Sequence, residues 1–237
     1  MRIETLGGLT VRITGGTDGH GGGNGPLVLL LHGFGAPGDD LVALGQYLDV
    51  PAGTRFIFPV APISIPMGFG DSRAWWMIDM ARIQADRAAG RIRDISNEIP
   101  RGLSEARERM KGLLGDIHRK LAVDPKHMIL GGFSQGAMLA CDALLYSAQP
   151  YAGLIQLSGT LVAKQEWGPL LAKRKGLPVF QSHGTEDPIL AYVMAERLRD
   201  EFIQAGAKVD WQPFRGGHEI PEPVLRRLGS FITKALG

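Results

Sequence analysis

One serine in this chain stands where a nucleophile could be made. Gly132-Phe-Ser134-Gln-Gly136 fits the pattern G-x-S-x-G. A short apolar run, residues 128–130, reads as a buried strand before it. An apolar helical pattern follows at once through Ala137, Met138, Leu139, Ala140, Ala143 and Leu144. Strand, sharp turn and helix around a serine form a nucleophile elbow. Such a turn strains the serine backbone and leaves room only for small flanking residues, a requirement that Gly132 and Gly136 meet. A serine hydroxyl is a weak nucleophile at neutral pH. It needs a base to take its proton and an acid to orient that base, which together would serve acyl transfer.

On a strand–elbow–helix scaffold the partners follow in the order Ser, Asp or Glu, His. Pro178-Val-Phe-Gln-Ser-His-Gly184 reads as a strand entering a turn, and Asp187-Pro188 lies just beyond it. Residues 209–214 read as another strand, and His218 falls in the loop after it. Both sites lie past carboxyl ends of strands, the edge where open α/β sheets bind ligands. Glu186 and Asp210 compete with Asp187, but one would point away in a tight turn and the other alternates outward along a strand. Of the six histidines, His20 sits in a Gly-rich loop. His118 and His127 lie in helical or pre-strand positions, and His32 and His183 read as structural.

Negative charge that develops on an acyl carbonyl oxygen is best met by backbone N–H groups already aimed at it. One donor should follow the nucleophile, at Gln135. The other should come from the loop after the apolar strand Leu27–Leu31, where Gly33 and Gly35 bracket Phe34.

Taken together, Leu31-His-Gly-Phe-Gly, Gly132-Phe-Ser-Gln-Gly-Ala-Met138, His183-Gly-Thr-Glu-Asp-Pro and Gly217-His resemble the carboxylesterase/phospholipase branch of the α/β-hydrolases, which includes acyl-protein thioesterases. The likeness runs from about Leu27 to the C-terminus. It implies an α/β-hydrolase fold and a Ser134–His218–Asp187 triad, with Phe34 and Gln135 as the oxyanion-hole positions. It also implies esters, thioesters or lysophospholipids as substrates, no cofactor, and admits a homodimer. The chain departs from the family at Arg73-Ala-Trp-Trp-Met-Ile-Asp79, where Asp79 is displaced from the tryptophans, and in its Gly-rich beginning.

The elements that must position these residues read as α/β: a mostly parallel central sheet with helices on both faces, in a single domain over residues 1–237. Residues 3–13 alternate around Gly7-Gly8 as a hairpin at one sheet edge, and residues 15–25 read as a flexible Gly-rich connection. Helices are expected over 39–48, 104–121 (with Ser104 as its cap), 189–205 and 221–236. Residues 62–103 are too long for a plain connection. They hold Pro62, Pro66, Gly68, Gly70, a short charged helix over 82–93, and two of the four tryptophans. This segment is expected to act as a lid or pocket wall, with Trp75 or Trp76 against the acyl chain.

Composition narrows the classes further. Hydrophobic residues are 44% and charged residues 21%, and the formal charge of +2 is too small to argue for nucleic acid. The single cysteine, Cys141, permits no internal disulfide and sits in an apolar helix as a small buried residue. No H-x-x-x-H or C-x-x-C spacing points to a metal. With no signal-like segment and no apolar run of spanning length, a cytoplasmic protein is expected. Peptide hydrolysis or perhydrolysis on the same scaffold, and a non-catalytic binding protein of this fold, are the alternatives. The presence of all three triad residue types weighs against the last.

Overall fold

Five apolar residues in a row leave a strand no polar face, so it belongs inside a sheet covered on both sides. The computed structural model of the chain describes residues 1–66, 71–91 and 93–237, so Gly68 and Gly70 lie outside the described residues. The first strands are β1 (Arg2–Leu6), β2 (Leu9–Gly16), β3 (His20–Gly22) and β4 (Leu27–Leu31). Helix α1 (Leu44–Tyr47) leads to β5 (Arg55–Pro59), then the hairpin β6 (Ile63–Ile65) and β7 (Ser72–Ala74). Next come α2 (Met80–Ala88), α3 (Leu103–Lys120), β8 (Met128–Phe133) and α4 (Gln135–Tyr146). The chain closes with β9 (Gly153–Leu157), α5 (Lys164–Leu171), β10 (Pro178–Gly184), α6 (Tyr192–Gln204), β11 (Lys208–Phe214) and α7 (Glu222–Leu236).

The main sheet runs β1-β2-β5-β4-β8-β9-β10-β11, with β3 beside β2. The pairs β1·β2 and β2·β5 are antiparallel, and every pair from β5 to β11 is parallel. This is the mostly parallel sheet anticipated above. Along β4, Leu27, Leu29 and Leu31 face one core with residues of α3, α4, α5 and α6. Val28 and Leu30 face the other core, with residues of α7. The connection after β4 runs to β5 on one side, while β8 pairs on its other side. The order therefore reverses between β4 and β8, and the loops leaving their carboxyl ends part to open a crevice.

Several boundaries differ from expectation, each for a local reason. The Gly-rich stretch is ordered: Asp18 Oδ1 accepts from the N–H groups of His20 and Gly22, each at 2.8 Å, and β3 pairs with β2. Helix α3 starts at Leu103 behind Gly102, whose φ of 96° ends the preceding loop, so Ser104 is not the cap. Helix α1 shrinks to four residues because i→i−3 turns at Val42 and Leu44 take up the expected first half. Helix α6 starts at Tyr192 because Asp187 Oδ1 holds the N–H groups of Ile189 and Leu190 in a turn.

Candidate active site

Ser134 links the end of β8 to the first residue of α4 with φ 54° and ψ −118°. A non-glycine residue there carries strain on the order of 1–3 kcal/mol and persists only if its surroundings enforce it. They do. Ser134 N–H donates to Leu157 O of β9 at 2.8 Å. A Cβ on Gly136 would lie 2.1 Å from Leu31 O, and one on Gly132 2.5 Å from the same atom. Both glycines are therefore required by the closeness of the β4 end.

Asp187 follows β10 and His218 follows β11, two neighbouring parallel strands. Their loops are laced together: Thr185 N–H donates to Phe214 O at 2.8 Å and Glu186 N–H to Gly216 O at 3.0 Å. His218 Nδ1 donates to Asp187 Oδ2 at 2.7 Å. The Asp187 side chain is fully buried and that of His218 is 12% exposed. Burial alone would raise the Asp187 pKa. Bonds from His183, His218 and the Leu190 N–H outweigh it and hold the carboxyl well below the usual carboxylate range. An ionised Asp187 keeps the proton of His218 on Nδ1, which leaves Nε2 as the basic nitrogen. The Phe133 ring lies 4.7 Å from the His218 ring and limits where it can turn.

The competing residues are engaged elsewhere. Glu186 pairs with Arg215 at 3.0 Å, and Asp210 with Arg227. His183 Nε2 donates to Leu190 O at 2.8 Å and lies 3.3 Å from Asp187 Oδ2, buried beneath the acid. His118 meets Tyr151 and Val123 O, and His20 meets the N-terminal amine. Cys141 is buried and its thiol pKa is pushed well up by desolvation.

Phe34 lies in the loop after β4, and Gln135 opens α4. Among the described residues, neither backbone N–H donates to a backbone carbonyl. Ser134, Gln135, Phe34, His218 and Trp76 line one cavity of about 410 Å³. Trp75 is absent from that lining; it is 2% exposed, and its indole N–H donates to His32 O at 2.9 Å. Most of the remaining wall is apolar and comes from the 62–103 segment, including Met77, Ile78, Ile83 and Ile95, with Met138 of α4 and Leu190 opposite. Apart from the tryptophans, individual wall residues of this segment were not legible in the sequence, since an irregular stretch has no period to mark its inward side. The role of the Gln135 side chain was also missed. It is fully buried, its Oε1 accepting from Trp75 N–H at 2.9 Å and its Nε2 donating to Trp76 O at 2.8 Å.

A second cavity of about 410 Å³ lies between α3 and the end of α4, among Arg107, Lys111, His118, Tyr146 and Tyr151, and holds none of the candidate site residues. Among the described residues, no group of three or more His, Cys, Asp or Glu side chains could hold a metal ion, and no helix is long and apolar enough to cross a membrane.

Residues 22–236 match the family model described as phospholipase/carboxylesterase. The chain is 29% identical over 226 residues to acyl-protein thioesterase 1 of Kluyveromyces lactis, covering 89% of this chain and 92% of that one. It is 28% identical over 220 residues to the protein of the same name from Candida albicans, at 86% and 90% coverage. Among solved structures it is similar to the esterase PE8, with a TM-score of 0.80 and 28% identity over 96% of this chain and 99% of that one. A carboxylesterase from Bacillus cereus shares the fold at a TM-score of 0.69 and 19% identity, over 96% and 94% of the two chains.

Proposed function

Since the chain belongs to the phospholipase/carboxylesterase family and is a carboxylic ester hydrolase, we propose that it cleaves acyl esters or thioesters through an acyl-enzyme on Ser134. His218 Nε2 takes the proton of Ser134 Oγ as the oxygen attacks the acyl carbon. The charge that collects on the former carbonyl oxygen is met by the N–H groups of Phe34 and Gln135. His218 then gives the proton to the departing alcohol or thiol. Water repeats the sequence against the acyl-enzyme, and the free acid leaves. Asp187, held ionised, keeps the imidazole in the right tautomer and offsets its positive charge in both halves. The observation that carries this reading is the 2.7 Å bond from His218 to Asp187 at the wall of a cavity that Ser134 also lines.

The cavity also bears on the substrate. Its largely apolar wall suits an acyl chain of several methylenes, each worth about 0.8 kcal/mol when buried. The relatives named acyl-protein thioesterase 1 make acylated proteins one class of substrate to test, beside small esters and lysophospholipids. Fluorophosphonate should add once to the wild-type protein in intact-mass spectra and not at all to Ser134→Ala. That variant should lose on the order of 10⁴–10⁶ in kcat while keeping its fold. An adduct that persists on Ser134→Ala overturns the assignment. Ester and thioester panels graded by chain length then rank the substrates.

A further inference from the structure

The two N–H groups assigned to the oxyanion hole belong to segments far apart in sequence, Phe34 after β4 and Gln135 at the head of α4. Neither segment bonds the other directly through its backbone among the described hydrogen bonds. Both are bonded to a third piece of chain, residues 73–76 at the end of β7. Gly35 N–H donates to Arg73 O at 2.8 Å, and Arg73 N–H donates to Ala36 O at 3.0 Å. The Trp75 indole N–H donates to His32 O, two residues before Phe34, at 2.9 Å. On the other side the Gln135 carboxamide bridges Trp75 N–H and Trp76 O at 2.9 and 2.8 Å. Gln135, Trp75, Trp76 and His32 are all 3% exposed or less, so the three bonds among these four residues are shielded from water and have no solvent substitute.

We infer that residues 73–76 form a crosspiece that sets the spacing of the two oxyanion donors, with the Gln135 carboxamide and the Trp75 indole as its positioning side chains. This rests on the proposed roles of Ser134 and of the Phe34 and Gln135 nitrogens. Donors act on a developing oxyanion only when fixed within a few tenths of an ångström of its position, and a displacement near 1 Å can cost on the order of 100-fold. Gln135 thus has two separable duties: its backbone faces the reacting oxygen, and its side chain holds the crosspiece from behind. The tryptophan pair divides in the same way. Trp76 is part of the cavity lining, and Trp75 ties the crosspiece to the loop of Phe34.

The test uses Trp75→Phe, which deletes one indole N–H and keeps a ring, and Gln135→Met, which deletes the carboxamide at similar length. Each should lower kcat by about 10-fold to 100-fold with KM changed less than about twofold. Affinity for a trifluoromethyl ketone, which forms an oxyanion on the serine, should fall by the same factor as kcat/KM. The double variant should lose much less than the product of the single losses, because both side chains hold one crosspiece. Wild-type kcat and ketone affinity in Trp75→Phe, with only a lower melting temperature, overturn the inference; this variant decides the matter if Gln135→Met fails to fold. Ser134→Ala run in parallel separates the two levels: if it retains turnover, the underlying reading fails, and if it is inactive while Trp75→Phe is unimpaired, the crosspiece alone fails.

Discussion

Asp187 is a carboxylate whose four bonded neighbours matter more than its burial. Asp187→Asn keeps the shape of the side chain but removes the charge that fixes the proton on His218 Nδ1, so kcat should fall on the order of 10⁴-fold. Combined with Ser134→Ala it should add little, because the residues act as one unit. Its depressed pKa also has a consequence for stability. An unfolded Asp titrates at about 3.9, and the folded one lies lower, so the folded state is favoured above that value and the advantage is lost as pH falls toward the folded pKa. The urea midpoint of wild type over Asp187→Asn should therefore be widest above about pH 5 and narrow below about pH 4. A gap that widens on acidification would contradict the ionised, bonded carboxylate. Ser134, Asp187 and His218 could be picked as candidates from sequence because each follows a recognisable strand and they come in the chain order Ser, Asp, His. The carboxamide of Gln135 could not, since its partners are backbone atoms of residues 75 and 76, which no side-chain pattern reveals.

The element that separates binding from support is the stretch from β6 to α3. Trp76 and Trp75 are chain neighbours with opposite settings, one lining the cavity and the other bonded behind it to His32. Trp76→Ala should change the ratio of kcat/KM between long and short acyl esters, by up to about fourfold for each methylene that gains or loses cover. Trp75→Ala should leave that ratio alone, even as turnover falls, and cost about 3–5 kcal/mol of stability in a urea titration. A changed ratio in Trp75→Ala would move that ring into the pocket. The sequence places β4 and β8 well because their burial on both faces writes an unbroken run without charged or polar side chains. It does not reveal β3 or the β6–β7 hairpin. Strand β3 is made of His20, Gly21 and Gly22 and has almost no side-chain signal. The hairpin strands are three residues each, too short to show alternation.

At the scale of the whole molecule, one carboxylate is held deep in α4. The Asp142 side chain is fully buried, bonded by Arg107 at 2.6 and 3.0 Å and by the Trp167 indole N–H at 2.9 Å. Arg107→Met would leave that carboxylate without its cation and should cost about 3–5 kcal/mol, read as a lower urea midpoint, with kcat of the folded fraction unchanged. An unaltered midpoint would mean that Asp142 needs no counter-charge. The order of the strands carries a different consequence. Everything that precedes β8 supplies Phe34, the crosspiece and most of the cavity wall, whereas everything from β8 onward carries Ser134, Gln135, Asp187 and His218. The two portions meet along the β4–β8 ladder and the packing of α3 on α4. A break placed between Leu121 and Asp124, where Ala122 is exposed, would divide the molecule into a container and a reagent. Neither fragment should hydrolyse an ester alone. Brought together by fused partner proteins, they should regain turnover, and the enzyme would become a reporter of the partners' encounter.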